Sequence, residues 1–315
     1  MDAAAGRDAG EFMVVGVDGS EPSLRAVDWA ADEAVLREVS LRVVYAFLWD
    51  RYEGAALARD VGHPSGPPTP REIADAGARR ARVRHPGLRV TADVVPEEPE
   101  HALVREGRDA AALVVGTRGR SGLAELLLGS VSLAVAAHAD CPVVVLRGSH
   151  DNQAAPPVHG RVIVGVGEDV DASAAVRFAV EEARRRGVAL EAVRAWRCPV
   201  REAADHPLTY GEPARLHEKR AAEELDTALR HVPSDLRVYR RTVEGYARGV
   251  LLEASYRADL LVVGARRGDG HVGLQLGRVA HGLLHHSACP VVVVPDGPRD
   301  AAPGPDCGAV SLPPR

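Results

Sequence analysis

The 315-residue chain sets 39 Lys and Arg against 44 Asp and Glu, a formal charge of −5, so no basic field marks it out for nucleic acid. Its hydrophobic fraction of 46% is globular, and no stretch approaches the run of about 20 apolar residues that spans a bilayer. The start, Met1 to Glu11, lacks the cationic segment and apolar stretch of a signal peptide, and a cytoplasmic protein is expected.

In chain order, residues 12–17 form an apolar strand, and Asp18-Gly19-Ser20-Glu21-Pro22 then turns into a helix with proline in its first turn. Leu24, Val27, Ala31, Ala34 and Val35 make one apolar helical stripe. A second strand follows at 41–47, a Gly/Pro-rich loop at 54–69, a helix at 71–84, a strand at 88–95, a short helix at 100–107 and a strand at 112–116. A helix at 131–138 and a strand at 142–146 complete a βαβαβαβαβ order. The second half repeats it: strand 162–166, helix 172–186 closed by Gly187, strand 188–196, helix 213–231, strand 236–243, helix 246–257, strand 260–264, helix 279–287 and strand 290–294.

The two halves align at an offset of about 148 residues, the signature of a duplicated domain. Val14-Val15-Gly16-Val17 recurs as Ile163-Val164-Gly165-Val166, and Cys141-Pro142-Val143-Val144-Val145 as Cys289-Pro290-Val291-Val292-Val293. The expected organisation is a first domain at 1–147, a linker at 148–160, a second domain at 161–295 and a tail at 296–315. Alternating strands and helices imply two tandem open parallel α/β sheets, each covered by helices on both faces. The matched Cys141 and Cys289 suggest packing, and Cys198 and Cys307 lack a pairing pattern.

The only lysine is Lys219, so a P-loop ending in Gly-Lys-Ser/Thr is excluded, and a bound phosphate must rest on backbone amides, hydroxyls and arginine. Such a cradle is legible after the fourth strand. Gly116-Thr117-Arg118-Gly119-Arg120-Ser121-Gly122 is followed, after an apolar run, by Gly129-Ser130-Val131 at the start of a helix. Glycines let the backbone approach an anion, and the helix start leaves donors unpaired at a positive dipole end. Arg118 and Arg120 offer bidentate contacts, or equally form a solvated pair. Gly16 and Asp18 stand at the end of the first strand, where open α/β sheets bind ligands, although Asp18 and Ser20 also suit helix capping.

The fixed positions Gly116, Gly119, Gly129 and Ser130 match the Gly-x2-Gly-x9-Gly-Ser/Thr pattern of ATP-binding universal stress proteins, and Val17-Asp18-Gly19-Ser20 matches that family's Val-Asp-Gly-Ser. From Phe12 to Pro295 the chain resembles a tandem universal stress protein. The resemblance implies an adenine nucleotide α-hydrolase-like fold, ATP as ligand, and Mg2+ only as an ion carried by the nucleotide. It implies that residues 116–122 with Gly129 and Ser130 hold phosphates and ribose, that Asp18 lies near them, and that the backbone at Ala46 faces adenine. It further implies nucleotide-dependent contacts with a regulatory protein partner under stress or dormancy. The last strands of the two repeats are short, aliphatic edges that relatives pair across a pseudo-twofold axis; pairing within the chain gives an internal dimer, and a homodimer is a further expectation.

In the second half Asp18 is replaced by Gly167, Gly119 faces Arg267 with Gly268 displaced by one, and Ser130 is replaced by Arg278. Gly165, Gly264, Arg266, Arg267, Gly268, Gly277 and Arg278 are the candidates for a rebuilt second site, with loss of binding the alternative. His281 and His285 share a helical face, but no zincin pattern accompanies them, and no metal is expected. Glu97 and Glu98 read as charges complementing a helix start, and Trp29, Trp49 and Trp196 as packing residues. Beyond Asp18 no base or arginine finger is recognisable, so a binding protein with at most weak ATP hydrolysis is expected rather than an enzyme. The rival readings are a nucleotide-independent adaptor and an adenylate-forming enzyme, the latter opposed by the missing Ser-Gly-Gly-x-Asp-Ser loop.

Overall fold

The computed structural model describes residues 11–48, 68–117, 128–147, 159–167, 173–198, 212–267 and 274–295. The expected site residues Arg118, Gly119, Arg120, Ser121, Gly122 and Gly268 lie outside these, as do Trp49, Cys307 and the tail. The first half runs β1 (Phe12–Gly16), α1 (Glu21–Leu36), β2 (Ser40–Ala46), α2 (Pro70–Arg84), β3 (Val90–Val95), α3 (Pro99–Glu106), β4 (Ala112–Gly116), α4 (Ser130–His138) and β5 (Val143–Leu146). The second runs β6 (Arg161–Gly165), α5 (Ala174–Arg185), β7 (Ala189–Trp196), α6 (Glu212–Ala228), β8 (Val238–Glu244), α7 (Ala247–Ser255), β9 (Leu260–Arg267), β10 (Leu274–Gln275), α8 (Arg278–His286) and β11 (Val291–Pro295).

Local chemistry fixes the helix boundaries. Ser20 caps α1 through its hydroxyl, with Pro22 in the first turn. Thr69 and Glu72 form a reciprocal capping box at α2, each side chain accepting from the other residue's amide. Gly187 follows the C-cap of α5 at φ 64°, a left-handed conformation that glycine adopts without a Cβ penalty.

All strands but β10 join one sheet in the order β3-β2-β1-β4-β5-β11-β9-β6-β7-β8. Within each half every pairing on this path is parallel; between halves β5 and β11 pair antiparallel. Val144, at the centre of that seam, faces its own repeat counterpart Val292, flanked by Val143↔Val293 and Val145↔Val291. An approximate twofold axis therefore passes through the seam, and each half supplies the edge the other needs covered. Helices α1, α2, α5 and α6 pack on one face, and α3, α4, α7 and α8 on the other, over cores dominated by Val, Leu and Ala. Among the described residues no helix is long and apolar enough to cross a membrane.

One element departs from the sequence reading. The strand expected at 260–264 continues to Arg267, and β10 folds back on it through Leu274↔Arg267 and Gln275↔Arg266. Gly264 lies in the strand as expected, but Arg266 and Arg267 belong to it too, where the expected cradle needs a loop. Backbone pairing with β10 holds the extension in place.

Candidate functional site

In each half the strand order reverses between the first and fourth strands, and the crevice at their carboxyl ends is where open α/β sheets bind ligands. In the first half that crevice is a cavity of about 230 Å3 lined by Gly16, Val17, Asp18, Ala46, Gly116, Gly129, Ser130 and Val131 among others. Four chain segments, from the ends of β1, β2 and β4 and the start of α4, therefore meet at one place.

The start of α4 leaves backbone donors unpaired among the described residues. Its N-cap is Gly129, which has no side chain to bond the first turn. The amides of Ser130, Val131 and Ser132 have no acceptor among the described residues. Gly129's own amide donates to the Thr117 carbonyl at 2.7 Å, which ties the two described ends of the 118–127 segment together. Gly129 thus serves as the side-chain-free cap and the three residues after it as donors.

Gly116 is a glycine for a reason the motif did not reveal. A Cβ there would sit 2.8 Å from the Pro22 carbonyl oxygen and 3.2 Å from the Ser23 amide, so the residue is dictated by the close approach of α1. Its carbonyl accepts a 2.6 Å hydrogen bond from the Ser132 hydroxyl. Ser132, buried and lining the cavity, was missed by sequence reasoning, as were Ser23, Pro99 and Leu103. The available signal was position: Ser132 is the third residue of α4, whose side chain points back over the helix start.

Asp18 receives the Ser20 amide at 3.0 Å and the Ser20 hydroxyl at 2.6 Å, both on Oδ1, while its own amide donates to Ser23 Oγ at 3.3 Å. Ser20 is the helix cap, and Asp18 braces the turn that presents it. That places the Asp18 carboxylate among the cavity's lining groups.

The equivalent crevice of the second half is a larger cavity, about 450 Å3, lined by Gly165, Gly167, Gly264, Gly277 and Arg278 with Ser173, Arg194, Ala195 and Ala247. Gly277 caps α8 without a side-chain bond, and the amides of Arg278, Val279 and Ala280 have no acceptor among the described residues. Arg194, unforeseen from sequence, pairs with Glu224 at 2.6 Å and donates to the Val166 carbonyl at 3.3 Å. Arg278 is exposed and has no ion-pair partner among the described residues.

A model of the universal stress protein family matches residues 12–147 and again 159–295. The chain belongs to the universal stress protein family. A universal stress protein of Mycobacterium tuberculosis is 31% identical over 309 residues, 91% of this chain and 96% of its own. One from Mycolicibacterium smegmatis is 31% identical over 295 residues, covering 90% of this chain and 96% of that one. Among solved structures, a universal stress protein from Archaeoglobus fulgidus matches with a TM-score of 0.61 at 18% identity, over 91% of this chain and 98% of its own, a likeness of fold.

Elsewhere, the His281 and His285 rings lie 4.5 Å apart. Burial, then the charges of His281, Arg147 and His286, hold His285 below its ordinary pKa. Among the described residues no three His, Cys, Asp or Glu gather as a metal site. Trp29 is buried under the Arg186 guanidinium, in keeping with a packing role. Glu97 pairs with Arg105 of α3.

Proposed function

We propose that the first domain binds an adenine nucleotide, with ATP the preferred ligand, and that occupancy regulates contacts with a protein partner in a stress or dormancy response. The observation that carries this reading is the convergence of Asp18, Ala46, Gly116 and the uncapped Gly129-Ser130-Val131 turn on one cavity, although they are scattered along the sequence. Backbone amides at the tip of α4 supply an anion site that needs no lysine. Ala46 leaves space at the end of β2 for a flat base, and Asp18 suits a ribose hydroxyl or a nucleotide-bound Mg2+. In this reading Arg118 and Arg120 add phosphate contacts.

The described lining offers no general base beyond Asp18, so the protein acts by binding, with hydrolysis slow or absent. Nucleotide shifts conformation only as far as it prefers one state, and the partner reads that shift. A homodimer in this reading uses a surface other than β5 and β11, which are already paired within the chain.

Calorimetric titration of the full chain with ATP, with and without Mg2+, tests the reading, alongside Ala46→Phe, which fills the cavity at its base-facing end. Saturable binding abolished by Ala46→Phe supports it. Absence of binding, together with gently purified protein that carries no nucleotide by mass spectrometry, leaves the nucleotide-independent adaptor in its place.

A further inference from the structure

Toward the amino-terminal ends of β6, β7 and β8, away from both cavities, lies a charge cluster that neither cavity uses. Glu191 of β7 is buried, its side chain 3% exposed, and three guanidiniums from three parts of the chain converge on it: Arg161 of β6 at 2.5 Å, Arg257 just past α7 at 2.6 Å and Arg241 of β8 at 3.7 Å. Burial works to raise the Glu191 carboxyl, but the bonds and charges of Arg257 and Arg161 outweigh it and hold that carboxyl below its ordinary value, so it is ionised. The arginines themselves stay within reach of a partner, 30%, 32% and 46% exposed for Arg161, Arg257 and Arg241. Arg161 also lies over the Tyr239 ring at 4.9 Å. Exposed Arg237, with no ion-pair partner among the described residues, extends the row Arg237, Tyr239, Arg241 along one face of the strand. Asp259 is the second carboxylate here, its oxygens taken by the His159 and Arg161 amides, so positive charge is in excess. Arg240, on the opposite face, is paired with Asp226.

The fold does not require this charge, because the first half inverts it. Arg42, registered to Val14 and Thr91, stands where Glu191 is registered to Ile163 and Tyr239. Its partner Asp93, at 2.6 Å, holds the place of Arg241. Strand β8 is moreover the outermost on its side of the sheet. The Leu190 amide donates to the Arg237 carbonyl and the Gly245 amide to the Trp196 carbonyl, so the odd-numbered residues of β8 bond β7, and the backbone groups of Val238, Arg240 and Thr242 face outward. A strand added there meets those groups and lays every second side chain beside Arg237, Tyr239 and Arg241. A single small anion fits less well: Glu191 already fills the point where the guanidiniums converge, and the remaining donors are spread along the strand. Arginine and tyrosine are also the residue types that carry most binding energy at protein interfaces.

We propose that the β8 edge binds an acidic, extended segment of a protein partner as an added strand, its alternate carboxylates beside Arg237 and Arg241 and its backbone bonded to Val238, Arg240 and Thr242. Arg161 and Arg257 supply further positive charge behind them, and Glu191 is a positioning residue that gathers the guanidiniums. The proposal rests on the nucleotide reading only in supplying the partner contact which that reading invokes; the surface itself needs no nucleotide.

The test is fluorescence anisotropy of the full chain with a labelled peptide of about twelve residues that alternates Glu and Thr, next to the same peptide with Lys for Glu and the Glu peptide N-methylated throughout. Two variants accompany it. Arg237→Ala with Arg241→Ala removes the exposed charges and leaves Glu191 its bonds to Arg161 and Arg257, so the fold is kept. Thr242→Pro removes an outward amide that β7 does not use, and proline is tolerated on an edge strand. The expected result is one Glu peptide per chain, bound less tightly as salt rises and weakened about tenfold or more by either variant, with no binding of the Lys or N-methylated peptide. Absence of binding by the Glu peptide, binding indifferent to either variant while thermal melting shows it folded, or an N-methylated peptide that binds as well as its parent overturns the proposal. A single-stranded oligonucleotide of equal charge binding as tightly also overturns it, since charge alone would then account for the contact. ATP binding without peptide binding refutes this proposal alone, and peptide binding without ATP binding refutes the nucleotide reading alone.

Discussion

Replacing Glu182 by Gln probes the seam between the domains. Glu33 and Glu182 are 2% and 0% exposed, and each is bonded to both Arg37 and Arg186. Arg37 lies over the Phe178 ring and Arg186 over Trp29, so the four charges and two rings form a pseudo-symmetric buried cluster. Burial, reinforced by the Glu33 carboxylate, pushes the Glu182 carboxyl from 4.5 up to about 7. Burial raises Glu33 too, but Arg186 and Arg37 outweigh it and hold that carboxyl below its ordinary value. Between pH 4.5 and about 7 the folded chain therefore keeps a proton on Glu182 that the unfolded chain has released, and stability falls as pH rises through that window. At about 1.36 kcal/mol per pH unit the loss is on the order of 3 kcal/mol, whereas the Glu33 contribution is lost only as pH falls below 4.5. Glu182→Gln has no proton to release. Urea unfolding of both proteins from about pH 5 to about pH 8 should show the wild type losing some 2–3 kcal/mol relative to the variant. Parallel pH profiles would refute the buried, proton-sharing description of the cluster.

Gly116→Ala forces a Cβ against the Pro22 carbonyl and should cost about 1–3 kcal/mol in thermal unfolding, with or without ligand; a neutral result would mean that α1 does not approach so closely. Ser132→Ala removes a 2.6 Å bond to a buried carbonyl, so a loss of about 1–2 kcal/mol together with weaker ATP binding is expected from urea titration and calorimetry. Burial pushes the thiols of Cys141 and Cys289 up to about 12. Alkylation of the native protein at pH 8 with mass-spectrometric mapping should therefore label half-buried Cys198 and spare both until urea is added; early labelling of Cys141 or Cys289 would contradict their burial.

Most elements were legible because a parallel strand covered on both faces is a short aliphatic run and each surface helix carries a period of about 3.6. The extension of β9 was not, since Ala265-Arg266-Arg267 before Gly-Asp-Gly reads as loop and β10 is only Leu274–Gln275, too short to show alternation. Around the first cavity, the spaced motif drew attention to its glycines and Ser130, while Ser132 and Ser23, which bond the Gly116 carbonyl and the Asp18 amide from outside the motif, were passed over. Gly116 was singled out for its place in the motif, whereas the close approach of Pro22, remote in sequence, is what excludes a Cβ there. The seam cluster was overlooked for a related cause. Glu33–Arg37 and Glu182–Arg186 are i,i+4 pairs that read as solvated helix faces, and only their recurrence at equivalent positions hints that the two pairs meet.

Fusion of two domains in one chain constrains seam and cavities differently. At the seam, Val144 meets Val292 and Glu33 meets Arg186 while Glu182 meets Arg37, so a change on one side leaves a buried charge or a gap on the other. Losing one partner of such a pair costs about 3–5 kcal/mol. Among the described residues, the lining of each cavity comes from its own half. The seam repeats its chemistry pair by pair, with Trp29 answered by Phe178, whereas the cavities differ in their lining, Asp18 against Gly167 and Ser130 against Arg278. A homodimer of single domains presents two identical pockets, so any change at the ligand appears twice. Joining the copies removes that restriction, and the buried carboxylate–guanidinium cluster keeps the halves in register while the linings of their cavities differ.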